Sequence, residues 1–263
     1  MKDRVLYPRS ATGAAAAAVL ALLMVTTSAG AQSDAIPAAG GEIRITPITH
    51  ASVQVEFGGK VIYVDPSQGE YAGKSKADLI LITDIHGDHL NAEIIGQLRK
   101  EGAPVAVPAA VAEQLAGQIQ NVTVIANGET KTVAGISIQA VPMYNLERGP
   151  QPGQLFHTKG RGNGYILTLG GKRVYFSGDT ECVPEIRALQ NIDVAFMTMN
   201  LPYTMPPTEA AECVKAFAPK IVYPYHFRGS DLNEFAAALK DQPNIEVRIR
   251  KWYPDAPSGG GRE

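Results

Sequence analysis

The 263-residue sequence predicts a layered α/β fold, and three observations carry that expectation. About a dozen short apolar or alternating runs are separated by only four helical patterns. Two Gly-Gly turns join runs of alternating apolar residues. Several of the runs end on an aspartate or a histidine, as strands do when they deliver side chains to a site.

The strand-like runs are 43–48, 53–57, 61–64, 79–83, 105–107, 122–125, 136–141, 165–169, 174–177, 194–199, 221–225 and 245–249, each rich in β-branched or aromatic residues. A helix over 92–100 follows Asn91 as its cap, and one over 109–115 ends near Gly117. A third, 209–217, follows Thr208 and stops at Ala218-Pro219, and a fourth, 231–239, follows Ser230. The stretch Val55-Glu56-Phe57-Gly58-Gly59-Lys60-Val61-Ile62-Tyr63 resembles Thr168-Leu169-Gly170-Gly171-Lys172-Arg173-Val174-Tyr175, and each runs on to an aspartate, Asp65 or Asp179. Two such hairpins arise by chance, or from a duplicated half that supplies one sheet of a two-sheet sandwich. No linker divides them, so 42–256 is read as one domain, preceded by a flexible lead-in at 32–41 and followed by a disordered Ser/Gly-rich tail at 257–263.

Residues 1–31 read as an export signal: Lys2, Arg4 and Arg9 precede an apolar segment from Ala14 to Val25, and Ala29-Gly30-Ala31 is a small-residue cleavage site. The alternative is an uncleaved membrane anchor, although spanning takes roughly 17–25 apolar residues. Export implies a periplasmic or secreted protein with no stable membrane insertion after cleavage. Removing Lys2, Arg4, Arg9 and Asp3 takes the 24 Lys and Arg to 21 and the 26 Asp and Glu to 25, a net charge of −4. A mildly acidic chain without a basic stripe argues against nucleic acid and for a small-molecule substrate. Cys182 and Cys213 form either one disulfide or two buried free thiols. Neither stands in a spacing that suits a thiolate zinc site.

The chemistry concentrates in Leu79-Ile80-Leu81-Ile82-Thr83-Asp84-Ile85-His86-Gly87-Asp88-His89, where an apolar strand delivers two carboxylates and two imidazoles within six residues. Such groups are costly to bury together without a partner, and a divalent cation resolves that cost. Val174-Tyr175-Phe176-Ser177-Gly178-Asp179-Thr180 and Ile221-Val222-Tyr223-Pro224-Tyr225-His226 have the same form, an apolar strand ending on a candidate ligand.

Taken in order, Asp84-x-His86-x-Asp88-His89, Gly178-Asp179-Thr180 and His226 resemble the metallo-β-lactamase superfamily, whose signature is His-x-His-x-Asp-His. The likeness is nearest to a branch of metal-dependent hydrolases resembling L-ascorbate-6-phosphate lactonase, to which Thr49-His50-Ala51-Ser52-Val53 and Val64-Asp65-Pro66 are also similar. It implies a four-layer αββα metallo-β-lactamase-type sandwich. Carried over residue by residue, it implies that Asp88, His89 and His226 bind one metal, that Asp179 bridges to a second, and that His86 binds the second. Asp84 stands where the signature has its first histidine, and Asn145 where another histidine is usual, so Asp84 and, weakly, Asn145 complete the expected ligand set.

One or two divalent ions are expected, zinc first, with manganese or iron as alternatives; the carboxylate and amide favour oxygen-loving ions at the second position. His157 is read as a substrate-binding residue, as the imidazole that Asn145 does not supply, or as a solvent-facing loop residue. Tyr203 and Arg228, just past strand ends, are candidate substrate contacts, and His50 supports the ligands. Arg148, Lys159 and Arg161 either attract an anion or are solvated cations. The expected reaction is hydrolysis of a lactone, ester or phosphorylated small molecule by a metal-bound hydroxide, with Asp84 or Asp179 accepting a proton. Cys182 is a distant candidate nucleophile. The rival readings are a catalytically silent metal-binding protein and an iron-dependent redox protein.

Overall fold

The structure, a computed structural model, describes Met1 and residues 33–253. The export signal and the tail from Pro257 lie outside the described residues. Among the described residues, two seven-stranded sheets account for every strand. The first runs in chain order: β1 (Asp34–Ala38), β2 (Gly41–Thr49), β3 (Ser52–Phe57), β4 (Lys60–Val64), β5 (Leu79–Leu81), β6 (Val105–Val107) and β7 (Val122–Val124). The second holds β8 (Thr130–Val133), β9 (Ile136–Met143), β10 (Gly162–Leu169), β11 (Lys172–Phe176), β12 (Val194–Thr198), β13 (Ile221–Tyr225) and β14 (Glu246–Val247), again with consecutive strands adjacent.

In each sheet the first four strands are antiparallel and the last three add in parallel. The Gly58-Gly59 and Gly170-Gly171 turns each join the third strand to the fourth, and all four glycines have positive φ. The two halves therefore repeat one plan, which favours the duplicated-half reading of the two hairpins, and each half supplies one sheet.

Burial on both faces explains the continuous apolar runs. Ile62 and Val64, Leu79 and Leu81, Val174 and Phe176, and Val194 and Phe196 point into the core between the sheets. Their alternates turn outward. Tyr63, Ile80 and Ile82 pack beneath α1 (Ala92–Leu98) and α2 (Ala109–Leu115). Tyr175, Ala195, Met197 and Val222 pack beneath α3 (Pro184–Arg187), α4 (Pro207–Phe217) and α5 (Leu232–Leu239). The result is the expected αββα sandwich. Among the described residues no helix is long and apolar enough to cross a membrane.

Several expectations need correction. The lead-in is no loose segment: Asp34–Ala38 pairs antiparallel with β2, and Arg250 donates to both carboxylate oxygens of Asp34. The chain also forms β8 and the short α3, which the sequence reading lacked. Helix α1 begins at Asn91 as expected, its side chain accepting from the Ile94 amide. Pro206, rather than Thr208, precedes the first residue of α4, and Asp231, rather than Ser230, caps α5. Cys182 and Cys213 are joined in a disulfide, with Cα atoms 5.5 Å apart, that ties the turn after Asp179 to α4 and removes Cys182 as a nucleophile.

Candidate metal centre

The centre forms where strand ends of both sheets meet. From the first sheet come His50 after β2, Asp65 after β4 and the segment 83–89 after β5. From the second come Asp179 after β11, His226 after β13 and the connection between β9 and β10. The His226 amide donates to the His50 carbonyl, joining the two sheets at this point. His50, Asp65 and His226 have φ of 52°, 47° and 48°, a left-handed conformation that a non-glycine residue holds only when its surroundings impose it. Gly178 has φ 61°, and a Cβ there would collide with the Met143 side chain, so glycine eases the turn that delivers Asp179.

Two clusters result. In the first, one ligand atom from each of Asp88, His89, Asp179 and His226 lies within 4.8 Å of the others. His89 Nε2 is 3.4 Å from Asp179 Oδ2, and His226 Nε2 is 3.2 Å from Asp88 Oδ2 and 3.4 Å from Asp179 Oδ1. The second cluster contains Asp84, His86 and His157 by the same measure. Here His86 Nδ1 stands 2.8 Å from Asp84 Oδ2, and His157 Nε2 is 3.9 Å from the same atom. His157 Nε2 also lies 3.4 Å from Asp179 Oδ2, so Asp179 faces both clusters.

Three buried atoms decide what the centre is built for. His89 Nε2, His157 Nε2 and Asp179 Oδ1 are buried at this junction and find no hydrogen-bond partner among the described residues. Polar atoms left this way cost roughly 1–3 kcal/mol each, and cations seated in the two clusters would satisfy them. The donor set of imidazole and carboxylate suits zinc, manganese or iron. The residues fit a metal.

The groups behind the candidate ligands fix their orientation. Asp65, fully buried, accepts from the Thr83 amide at 2.7 Å and the Thr83 hydroxyl at 2.6 Å, and its Oδ2 lies 2.9 Å from His89 Nδ1. A proton on Nδ1 leaves the Nε2 lone pair aimed into the first cluster. His50 stacks on His226 with ring centroids 3.8 Å apart, while its Nε2 is 3.1 Å from Asp88 Oδ2 and its Nδ1 2.6 Å from the Tyr253 hydroxyl.

The charges follow from this packing. Burial would raise the Asp88 carboxyl, but hydrogen bonds from His226 and His50 hold it well below the usual range. Burial likewise opposes ionisation of Asp179, and the neighbouring His226 and His89 charges overcome it. Asp84 is pulled down to about 2: burial works against this, but the His86 hydrogen bond and the His89 and Arg161 charges outweigh it. Burial lowers the affinity of His89 for a proton, yet Asp179 and Asp65 push it well above the ordinary histidine value.

His157, rather than Asn145, joins Asp84 and His86 in the second cluster, as one of its readings expected. Asn145 Oδ1 accepts from the His157 amide and lies 2.6 Å from His157 Nδ1, while its Nδ2 donates to Glu181 and to the Tyr203 carbonyl. The amide is spent on positioning His157, and His157 contributes the ring to the cluster. The basic residues of this loop also read differently in three dimensions. Arg161 grips Asp84, Lys159 pairs with Glu185, and Arg148 pairs with Glu181 and Glu209. None of them lines the cavity over the centre.

That cavity measures 590 Å³ and has His86, Asp88, His157 and Asp179 in its floor. Phe156, Leu201, Pro202 and Tyr203 form an apolar wall, with the Phe156 and Tyr203 rings 5.0 Å apart, and Arg228 stands at the rim. Tyr203 and Arg228 both line this cavity. Asp84 does not reach the cavity, being fully buried behind His86.

The profile of the family described as Beta-lactamase superfamily domain matches residues 44–226, from β2 to the last histidine of the first cluster. The chain belongs to the metallo-β-lactamase superfamily. Among its relatives, a UPF0173 metal-dependent hydrolase of Thermococcus onnurineus is 28% identical over 78% of this chain and 96% of its own length. A metal-dependent hydrolase of Methanopyrus kandleri is 30% identical over 70% of this chain and 84% of its own. In three dimensions the chain is similar to a protein of Parabacteroides distasonis described as a metal-dependent hydrolase, with 40% identity, a TM-score of 0.77, and coverage of 84% of this chain and 99% of that one. For this metallo-β-lactamase-superfamily protein, the fold, the sequence motifs and the convergent clusters agree.

Proposed function

We propose that the protein is a metal-dependent hydrolase of a small molecule, a lactone, ester or phosphorylated compound, acting outside the cytoplasm. The observation that carries this reading is the convergence of unpartnered buried atoms of His89, His157 and Asp179 beneath an open cavity of ligand size. Asp88, His89, Asp179 and His226 would hold the first ion and Asp84, His86 and His157 a second, with zinc the first expectation and manganese or iron the alternatives. A bound dication would supply Lewis acidity and a water acidic enough to attack at neutral pH.

The remaining work falls to the chain. Asp179, which faces both clusters and the cavity, accepts a hydrogen bond from the attacking water and orients it. Asp84, fully buried and paired with Arg161, is poorly placed to be the proton acceptor. Phe156 and Tyr203 flank the apolar part of the substrate, and Arg228 meets an anionic group. The motifs of the sequence also resemble the branch related to L-ascorbate-6-phosphate lactonase, on which reading Asp84 takes the position of the first signature histidine. Export agrees with the basic and apolar pattern of the first 31 residues and with the disulfide, which persists in oxidising compartments.

The test is turnover of a panel of lactones, aryl esters and phosphodiesters by zinc- or manganese-loaded protein. Hydrolysis should vanish with chelator, return with metal, and be absent in Asp179→Ala and His226→Ala. Tight metal binding without turnover of any member would favour the catalytically silent reading instead.

A further inference from the structure

We propose that Arg161 sets the occupancy of the centre, holding the Asp84/His86/His157 cluster to a weaker, exchangeable cation while the Asp88/His89/Asp179/His226 cluster binds firmly. The inference rests on the metal reading above and concerns how the two halves of that site differ.

The difference lies in what faces each carboxylate. Asp84 is fully buried, and the Arg161 guanidinium engages both of its oxygens, Nε at 3.1 Å from Oδ1 and Nη2 at 3.0 Å from Oδ2. This is a bidentate, charge-assisted pair. Arg161 is largely covered and does not line the cavity, so it answers to Asp84 rather than to substrate. The ion-pair partners of Asp88 and Asp179 among the described residues are all histidines. The Arg161 guanidinium, in contrast, is a permanent charge.

The first cluster thus offers two carboxylates with no fixed cation beside them. The second offers one carboxylate of its own whose charge is already neutralised and whose oxygens are already shared. A dication entering the second cluster must take an Asp84 oxygen while a permanent positive charge stands on the far side of the same carboxylate. Arg161 also holds Asp84 in one orientation, which would favour binding. Repulsion by a fixed charge in a buried setting outweighs that orientation, and the variants below separate the two effects.

Cobalt(II) titration of the full chain, stripped by dialysis against chelator, reads the two sites through visible absorption and calorimetry without any assay of turnover. The wild type should fill in two steps, the second weaker by about tenfold or more. Arg161→Gln keeps a hydrogen-bonding group toward Asp84 and removes the charge, so its second step should tighten by about tenfold with the first unmoved. Arg161→Lys keeps the charge and should stay weak, and Asp84→Asn should lose the second step and retain the first.

A second step that is unchanged or weaker in Arg161→Gln overturns the proposal, because Arg161 would then only position Asp84. Tightening in Arg161→Lys equal to that in Arg161→Gln overturns it too, as does a full second step in Asp84→Asn. Failure of the wild type to bind cobalt at all would instead remove the metal reading on which the proposal stands.

Discussion

Replacing Asp65 by Asn tests how the centre is held, because the change keeps size and shape and alters one atom. In the native protein Oδ1 of Asp65 must accept from the Thr83 amide at 2.7 Å, which fixes the orientation of any amide placed there. The Asn Nδ2 would then occupy the position of Oδ2 and point its N–H at His89 Nδ1, now 2.9 Å away. His89 would answer by moving its proton to Nε2, the atom that faces Asp179, and the lone pair needed by a metal would be lost. Loss of such an orienting group costs about 10–100-fold in metal affinity. The lost charge-assisted hydrogen bond should cost about 1.5–3 kcal/mol of stability. Zinc calorimetry and denaturant unfolding read the two effects separately. Zinc affinity equal to that of the wild type would refute the argument that Asp65 selects the His89 tautomer.

Other consequences follow from particular contacts. Gly178→Ala should lose about 2–4 kcal/mol, combining left-handed backbone strain with the clash against Met143, and denaturant melts measure it. Replacing both Cys182 and Cys213 by Ala opens a link with a sequence separation of 31 and should cost about 3.7 kcal/mol in unfolding experiments; an unchanged midpoint would show that the link constrains little. The Asp34 carboxyl is held below its ordinary 3.8, the hydrogen bonds from Arg250 and Tyr223 overcoming the opposing effect of burial. Its contribution to stability is therefore complete above that pH and declines as pH falls through the lower folded value. Thermal melts across the acid range should show this decline in the wild type and a shallower one in Asp34→Asn.

Much of the architecture was legible because the strands are buried on both faces. Leu79-Ile80-Leu81-Ile82 and Val194-Ala195-Phe196-Met197 leave no polar alternative, since one set of side chains meets the opposite sheet and the other meets helices. Strand β1 was hidden because only Ile36 of its five residues is buried, and its ionic anchor Arg250 lies 216 positions away. Strand β8 was hidden because three of its four residues are exposed.

At the centre, the residues at strand ends could be read directly, while His157, brought in by loop folding, could be read only as one of three alternatives. His157 reaches the cluster because the β9–β10 connection doubles back, its carbonyl accepting from the Asn145 amide at 2.8 Å. No spacing rule encodes that return. Arg161, read either as attracting an anion or as a solvated cation, is defined by a carboxylate 77 residues earlier. Asp65 did leave a signal, since both Gly-Gly hairpins end on an aspartate, but its role becomes visible only beside His89.

Anomalous diffraction from crystals grown with zinc tests the central claim most directly. The account predicts a peak about 2.0–2.2 Å from ligand atoms of Asp88, His89, Asp179 and His226. Zinc that binds elsewhere on the protein while these four side chains stay uncoordinated would contradict it.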